Sequence, residues 1–284
     1  MSEKSKLIPL NTFPSNIASG IIISKFTVAD LELEKIKLAH RDDYHIFLLL
    51  EQGSGIFEID FLRFEIGSHS IIYIQPYQVH RGLSLEDGVF TVLLIRNENL
   101  HPEYLNILKE LAPTDPLYLD AITFPIASKM GDLSTLIFER QNEKLYNSIL
   151  KDSCNSLVGF IISQFLLQSN TTDKPSRSEA ISKSFKLLLD EHFIRTKSPG
   201  EFAAKMNIST VYLNECVKKA TGQTVSYHIH QRIILEAKRL LFHSCKSVKE
   251  IATELGYEDY PYFSRLFTKV TGITPLTFRN KNLE

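Results

Sequence analysis

Three histidines in the first third of the chain, His40, His45 and His80, carry the side chain best suited to ligating zinc, iron or copper. Their spacing argues against a shared metal. His40 and His45 are separated by five positions, an odd interval that in an extended strand turns the two rings to opposite faces. No metal and no cofactor are therefore expected, and the three rings read as ordinary loop or pocket residues. Cys154, Cys216 and Cys245 form an odd-numbered set without metal-type spacing, on helical patterns. They are expected to be reduced, buried or half-buried thiols with no chemistry of their own.

The residues with the clearest chemical spacing lie at the other end, in Ser247 to Arg279, SVKEIATELGYEDYPYFSRLFTKVTGITPLTFR. Val248, Ile251, Ala252 and Leu255 recur at helical steps and leave Lys249, Glu250 and Glu254 for water. Ser247 and Glu250 form a capping-box pattern. Gly256 sits where that helix must stop, because a left-handed residue there carries no Cβ penalty. Tyr262, Phe263, Leu266, Phe267 and Val270 then mark a second helix, with Pro261 in its first turn, where an N–H is dispensable. A short helix, a glycine turn and a second helix are the order of a DNA-reading helix-turn-helix. The same order occurs earlier in the chain. Phe202-Ala203, Met206 and Asn207 precede Ile251-Ala252, Leu255 and Gly256 by 49 residues, and Tyr212-Leu213, Val217, Gly222 and Thr224 precede Tyr262-Phe263, Phe267, Gly272 and Thr274 by 50. The extra residue falls in the second turn, and Asn207, opposite Gly256, tolerates a left-handed conformation better than most side chains.

Ile251-Ala252, Leu255-Gly256-Tyr257, Asp259, Tyr262-Phe263-Ser264-Arg265, Phe267, Lys269, Gly272, Thr274-Pro275 and Arg279 resemble the second helix-turn-helix of the AraC/XylS family of transcriptional regulators. Two such units in one chain are that family's architecture. Pro261 departs from the pattern, which usually has a small polar residue there. By this resemblance, and because Tyr212, Leu213, Val217, Phe263, Leu266 and Phe267 are needed for packing, the base-facing residues are Thr210, Val211, Asn214 and Glu215 in the first unit. In the second they are Tyr260, Pro261, Ser264 and Arg265. Asn214 can pair with adenine, Glu215 can accept from cytosine, Val211 can touch a thymine methyl, and Arg265 can take a guanine or a phosphate. Lys218, Lys219 and Lys269 are expected on phosphates. The segment Val225 to His243, apolar at Ile229, Ile233, Ala237, Leu240 and Leu241 and basic at Arg232, Lys238 and Arg239, reads as a rigid helical connector between the units.

The elements upstream differ in period. Gly20 to Phe26, Glu32 to Leu38, Tyr44 to Leu50, Gly55 to Asp60, Leu62 to Ile66, Ser70 to Ile74 and Val89 to Ile95 are short, β-branched and aromatic runs between turn residues, the pattern of an antiparallel sandwich or small β-barrel. His40-Arg41-Asp42-Asp43-Tyr44-His45, Gly53, Asp60, Gly67 and Pro76-Tyr77-Gln78-Val79-His80 resemble the cupin-type sensor domain at the N-terminus of many AraC-family regulators. The first motif of the cupin enzymes has two histidines one residue apart and a glutamate downstream, which this chain lacks. The default place for a small-molecule effector is the barrel mouth, lined by His40, Arg41, Tyr44 and His80. Helical patterns follow over His101 to Leu111, Leu133 to Arg140 and Asn142 to Gln168, the last so apolar that it must be buried against both the barrel and another surface; the AraC family usually dimerises through helices at this place, so the resemblance implies contact with a second copy of the chain.

At 284 residues the chain is expected to hold two domains. The expected division is a cupin-like sensor barrel over 1–100, a helical dimerisation segment over 101–168, a polar linker over 169–178 and an all-α double helix-turn-helix over 179–284, an α+β chain overall. Net charge is −1, but from Lys174 onward 18 Lys and Arg face 11 Asp and Glu, a net of +7, which suits a polyanion. No apolar run reaches the roughly 18 residues needed to span a bilayer, and MSEKSKLIPLNTFPS lacks the apolar core of a secretion signal, so a cytoplasmic location away from membranes is expected. The resemblance implies promoter DNA, a second copy of the chain and RNA polymerase as partners, most often in activation, with a small-molecule effector shifting the population between two arrangements. Two other readings stay open on the sequence. One is a metal-dependent cupin enzyme with a DNA-binding tail, which requires stoichiometric metal; the other is a regulator whose barrel binds no ligand and serves protein contacts.

Overall fold

The computed structural model describes residues 10–14, 17, 19–30, 36–111, 115–169 and 176–281. Two compact units emerge, one formed by Pro9–Thr171 and one holding Thr172–Glu284.

The first unit mixes strands and helices. Strands β1 (Leu10–Asn11), β2 (Ile21–Thr27), β3 (Arg41–Asp42), β4 (His45–Ile59), β5 (Leu62–Gly67), β6 (Ser70–Ile74), β7 (His80–Ile95) and β8 (Leu117–Tyr118) alternate with helices α1 (Pro102–Glu110), α2 (Phe124–Phe138) and α3 (Tyr146–Ser169) only after β7. The main sheet runs β2-β7-β4-β6-β8, with β5 hydrogen-bonded to the far half of β4, while β1 and β3 make a separate two-stranded ladder. Among the described residues no pairing joins the outer strands, so the expected closed barrel is not formed by hydrogen bonding. Two long strands do the bending instead. Along the first half of β4, Phe47 and Leu49 enter one buried cluster, while Ile46, Leu48 and Leu50 enter another, the two-residue alternation of a strand. Register against β7 then shifts between Leu50 and Gln52, between Gln52 and Ser54, and between Ile56 and Phe57. Beyond these irregularities the parity is reversed, and the odd-numbered Phe57 and Ile59 join Ile46, Leu48 and Leu50. Bulges bend a strand and increase its twist, so the sheet curls around the second cluster. Gly53 is required at this bend. Its φ is +91°, and a Cβ there would lie 2.3 Å from the Glu86 carbonyl oxygen.

The helices cover the opposite face. Leu150, Leu157, Val158, Ile161, Ile162 and Phe165 of α3 pack with Phe47, Tyr73 and Leu93 of the sheet, which gives the apolar face of this helix a partner inside its own unit. Three sequence expectations shift for local reasons. Pro125 opens α2 at its first turn rather than interrupting a connection, so this helix starts at Phe124 instead of Leu133. Leu145, at φ +65°, delays α3 to Tyr146. Of the strand expected over Glu32 to Leu38, residues 32–35 lie outside the described set, and residues 36–38 are not extended.

The second unit is all helix: α4 (Arg177–His192), α5 (Pro199–Lys205), α6 (Thr210–Thr221), α7 (Val225–His243), α8 (Val248–Glu254), α9 (Tyr260–Thr271) and α10 (Pro275–Lys281). Of the expected linker, residues 170–175 lie outside the described set, and Ser176 already caps α4 in a capping box with Glu179. The internal repeat is built from matching parts. α5 and α8 each have 7 residues, and α6 and α9 each have 12. Ser198 with Glu201 and Ser247 with Glu250 both form capping boxes, Ser209 and Asp259 cap the second helices, and Gly222 and Gly272 end them at φ +74° and +79°. Asn207 and Gly256 hold the two turns at φ +54° and +78°.

Candidate nucleic-acid interface and ligand cavity

The reading helices are fixed by what they bury. In α6, Leu213, Cys216 and Val217 are buried, and in α9, Phe263, Leu266 and Phe267. These residues leave Thr210, Val211, Glu215 and Lys218 exposed on α6, and Tyr260, Pro261, Arg265 and Lys269 exposed on α9, with Asn214 and Ser264 half-buried. Arg265 forms no ion pair or hydrogen bond among the described residues, so its guanidinium is not occupied by an internal carboxylate. Asn214 differs. Its Nδ2 donates to the Thr210 carbonyl at 3.0 Å, and its Oδ1 accepts from the Val225 N–H at 3.4 Å, satisfying an otherwise unpaired donor at the start of α7. Tyr262, assigned to packing on its period, is 46% exposed and stacks on Tyr257 at 5.9 Å. The period alone could not reveal this, because it marks the edge of the apolar stripe without fixing how wide the stripe is.

Several contacts lock the two helix-turn-helix units to each other. Arg232 of α7 bonds Asp190 of α4 at 2.7 Å and lies over the Phe193 ring at 3.9 Å. Arg279 reaches back from α10 to the Leu241 and Lys246 carbonyls, at 3.1 and 2.6 Å, and so caps the end of the connector. Lys197, between α4 and α5, donates from Nζ to the carbonyls of Phe193 and of Leu255, the last residue before the second turn. Burial holds this amine down at about 8 against the pull of Glu201. Beside it, a Cβ on Gly256 would sit 2.4 Å from the Ile194 carbonyl oxygen.

In the first unit the curled sheet encloses a cavity of about 360 Å³. Its wall is apolar, with Ile22, Phe26, Ile46, Leu48, Phe90 and Val92 among the lining residues, and its polar end holds His40, Asp42, Tyr44 and His80. Three of the four residues expected at the effector site are therefore present. Arg41 does not line the cavity. It stands between His40 and Asp42 in an extended segment, so strand alternation turns it the other way. Asp42 takes its place, and sequence reading passed over it. The signal was available: His40 and Asp42 are two apart on one side of the chain, and His40 and His80 are opposed across an antiparallel bridge, with N–H···O distances of 3.0 and 2.8 Å. Those two relations bring three side chains together.

The polar end is electrostatically tight. His80 Nε2 lies 3.1 Å and His40 Nε2 3.8 Å from Asp42 Oδ2, and the two rings meet edge to face at 4.3 Å. Tyr44 donates to Asp42 Oδ1 at 3.0 Å. Burial works to raise the Asp42 carboxyl, but His80, His40 and Tyr44 outweigh it and hold it below the usual carboxylate range. His40 is pushed down by burial and by the neighbouring His80. Burial raises the Tyr44 phenol, and the Asp42 carboxylate raises it further. His45 is elsewhere, as its odd spacing from His40 requires. Its Nδ1 is 2.8 Å from the Tyr73 hydroxyl and its Nε2 is 2.6 Å from Asn97 Oδ1, and burial depresses it to about 4. Cys154 and Cys216 are buried as expected, whereas Cys245 is exposed rather than half-buried, and none of the three is in a disulfide.

Comparison with known proteins bears on both units. A family model described as a helix-turn-helix domain matches residues 202–281. The HTH-type transcriptional activator RhaR of Enterobacter sp. (strain 638) is 25% identical over 269 residues, covering 90% of this chain and 91% of its own length. Among solved structures, the C-terminal domain of AraT, a response regulator from Geobacillus stearothermophilus, is 27% identical, covering 37% of this chain and 88% of that domain, with a TM-score of 0.36. ToxT from Vibrio cholerae strain SCE256, solved with an unsaturated fatty acid bound, is 18% identical, covering 91% of this chain and 94% of its own, with a TM-score of 0.43. No helix among the described residues is long and apolar enough to cross a membrane.

Proposed function

Because the chain belongs to the AraC/XylS family of DNA-binding transcriptional regulators, we propose that α6 and α9 enter successive major grooves of promoter DNA and that a small molecule in the cavity of the first unit controls this binding. The carrying observation is the matched pair of 12-residue helices, each with a buried stripe and an exposed N-terminal half. A B-form major groove admits one α-helix, and successive grooves on one face of the duplex are about 34 Å apart. Arg265, free of internal partners, takes a guanine or a phosphate; Val211 and Glu215 face base edges, and Lys218 and Lys269 hold phosphates. Asn214 is assigned a smaller share, since its carboxamide already bonds within the unit.

In this reading the first unit is a cupin-like sensor, the helical segment over 101–168 joins two copies, and activation proceeds through RNA polymerase in the cytoplasm. The curled sheet with its apolar cavity supports the sensor role. An enzyme with a DNA-binding tail is not favoured, because the RhaR relative spanning most of the chain is a transcriptional activator.

The test is selection of bound sites from fragmented host DNA by the full-length protein at fixed salt, followed by affinity measurements on one selected site. Discrete sites are expected. Arg265→Ala should weaken binding by about 1–3 kcal/mol and relax one base position if it reads guanine, whereas Lys218→Ala should weaken all sequences alike and lower the salt slope by about one. Diffuse, salt-sensitive binding unaffected by either change would overturn the proposal.

A further inference from the structure

The tautomers of His40 and His80 can be read from their backbone contacts. His40 Nδ1 lies 2.9 Å from the Leu38 carbonyl oxygen, and His80 Nδ1 lies 3.0 Å from that of Gln78. A carbonyl only accepts, so each Nδ1 carries a proton, and Nε2 is the ring atom that each histidine turns toward Asp42. Asp42 Oδ2, itself an acceptor, is buried and receives no aligned hydrogen bond, although the nearer Nε2 is 3.1 Å away. Two imidazole nitrogens and one carboxylate oxygen therefore converge at the polar end of the cavity. A cation set between them would be ligated by all three, the otherwise unbonded Oδ2 included.

We propose that His40 Nε2, the Asp42 carboxylate and His80 Nε2 bind one divalent transition-metal ion whose remaining coordination positions open into the apolar cavity. The three donor atoms lie within 4.8 Å of one another. An ion held at about 2.1 Å needs its ligands about 3.0–3.4 Å apart. The Asp42–His80 pair meets this at 3.1 Å, and the Asp42–His40 pair, at 3.8 Å, meets it after a small turn of the more exposed His40 ring. Donation of Nδ1–H to a backbone carbonyl is the usual way a protein fixes the ring of a metal-binding histidine. Tyr44 does the same for the carboxylate by holding Oδ1, which leaves Oδ2 facing the rings. Two imidazoles and one carboxylate suit zinc or iron(II) and leave positions for an outside ligand.

This assignment deepens the sensor reading of the cavity by giving the effector a chemical class. A molecule with an oxygen donor at one end would bind the metal, and an apolar body would pack against Ile46, Leu48 and Phe90. Metal binding itself is independent of DNA binding and is tested separately.

The experiment strips the full-length protein with a chelator, titrates it with Co²⁺ while following the visible absorption of the ion, and displaces Co²⁺ with Zn²⁺. Saturation at one ion per chain is expected, with affinity reduced at least about 10-fold in His80→Ala and in Asp42→Asn and unchanged in His101→Gln, a histidine outside the cavity. Thermal melts check that the variants fold. Should His80→Ala not fold, His40→Ala removes the more exposed ligand and gives the same readout. Absence of bound Co²⁺ after gel filtration, or equal binding by wild type and His40→Ala, would refute the site while leaving DNA binding to stand or fall on its own measurement.

Discussion

At the scale of single residues, the histidines show how far side-chain chemistry follows from sequence spacing. The odd interval between His40 and His45 correctly separates them, because strand alternation depends on the backbone alone. The partnership of His40 with Asp42 and His80 depends on a cross-strand bridge between positions 40 residues apart, and no local pattern encodes that distance. The internal bonds of Asn214 were hidden for a similar reason, since the N–H from which its Oδ1 accepts belongs to the next helix. His45 offers a prediction at this scale. It is buried and neutral, with a folded value near 4 against 6.5 for a free imidazole. Between those values the unfolded chain binds more protons, so stability falls as pH drops from 6.5 toward 4. A 2.5-unit depression corresponds to a loss on the order of 3 kcal/mol. His45→Gln, which cannot titrate, should flatten this part of the pH profile of urea unfolding for the first unit. A variant profile parallel to wild type would mean that other groups carry the acid sensitivity.

Helices and turns were the most legible elements of the second unit, because caps, glycines and apolar period all act within a few residues. Strands were less so: most of the runs Tyr44 to Leu50 and Gly55 to Asp60 belongs to one 15-residue strand, and Gly53 between them marks a break without showing that the strand continues through it with reversed parity. The two glycine classes permit a prediction at this scale. Gly222 and Gly272 end their helices in left-handed conformations with nothing within 4 Å of an added Cβ. Gly256 has the same backbone need, but an added Cβ would press on the Ile194 carbonyl. Gly222→Ala should therefore cost only the conformational strain, about 1 kcal/mol, whereas Gly256→Ala should cost about 2 kcal/mol or more because backbone must also move. Thermal unfolding distinguishes them. Equal losses would show that the turn and the Ile194–Lys197 segment can separate freely.

For the molecule as a whole, the sequence located an apolar helical segment, expected to bury one face against a second copy of the chain. Much of the apolar face of α3 packs within its own unit, leaving Ile149 and Leu167 exposed. A regular row of exposed apolar residues lies on α2, where Ile126, Leu133 and Leu136 are 47%, 56% and 59% exposed, in line with Lys129. These four positions are separated by three, four and three residues, the spacing of a helix seam. If two copies pair through that seam, Leu133→Lys with Leu136→Lys buries like charges against each other and should give a folded monomer by light scattering at micromolar concentration. DNA binding supplies the second readout. Two copies joined on neighbouring half-sites gain avidity on the order of 10²–10⁴ over one. The double variant should therefore lose most of its affinity for a paired site while keeping that of wild type for a single half-site. Loss of half-site binding as well would point to misfolding, and a double variant that remains dimeric would move the interface off α2.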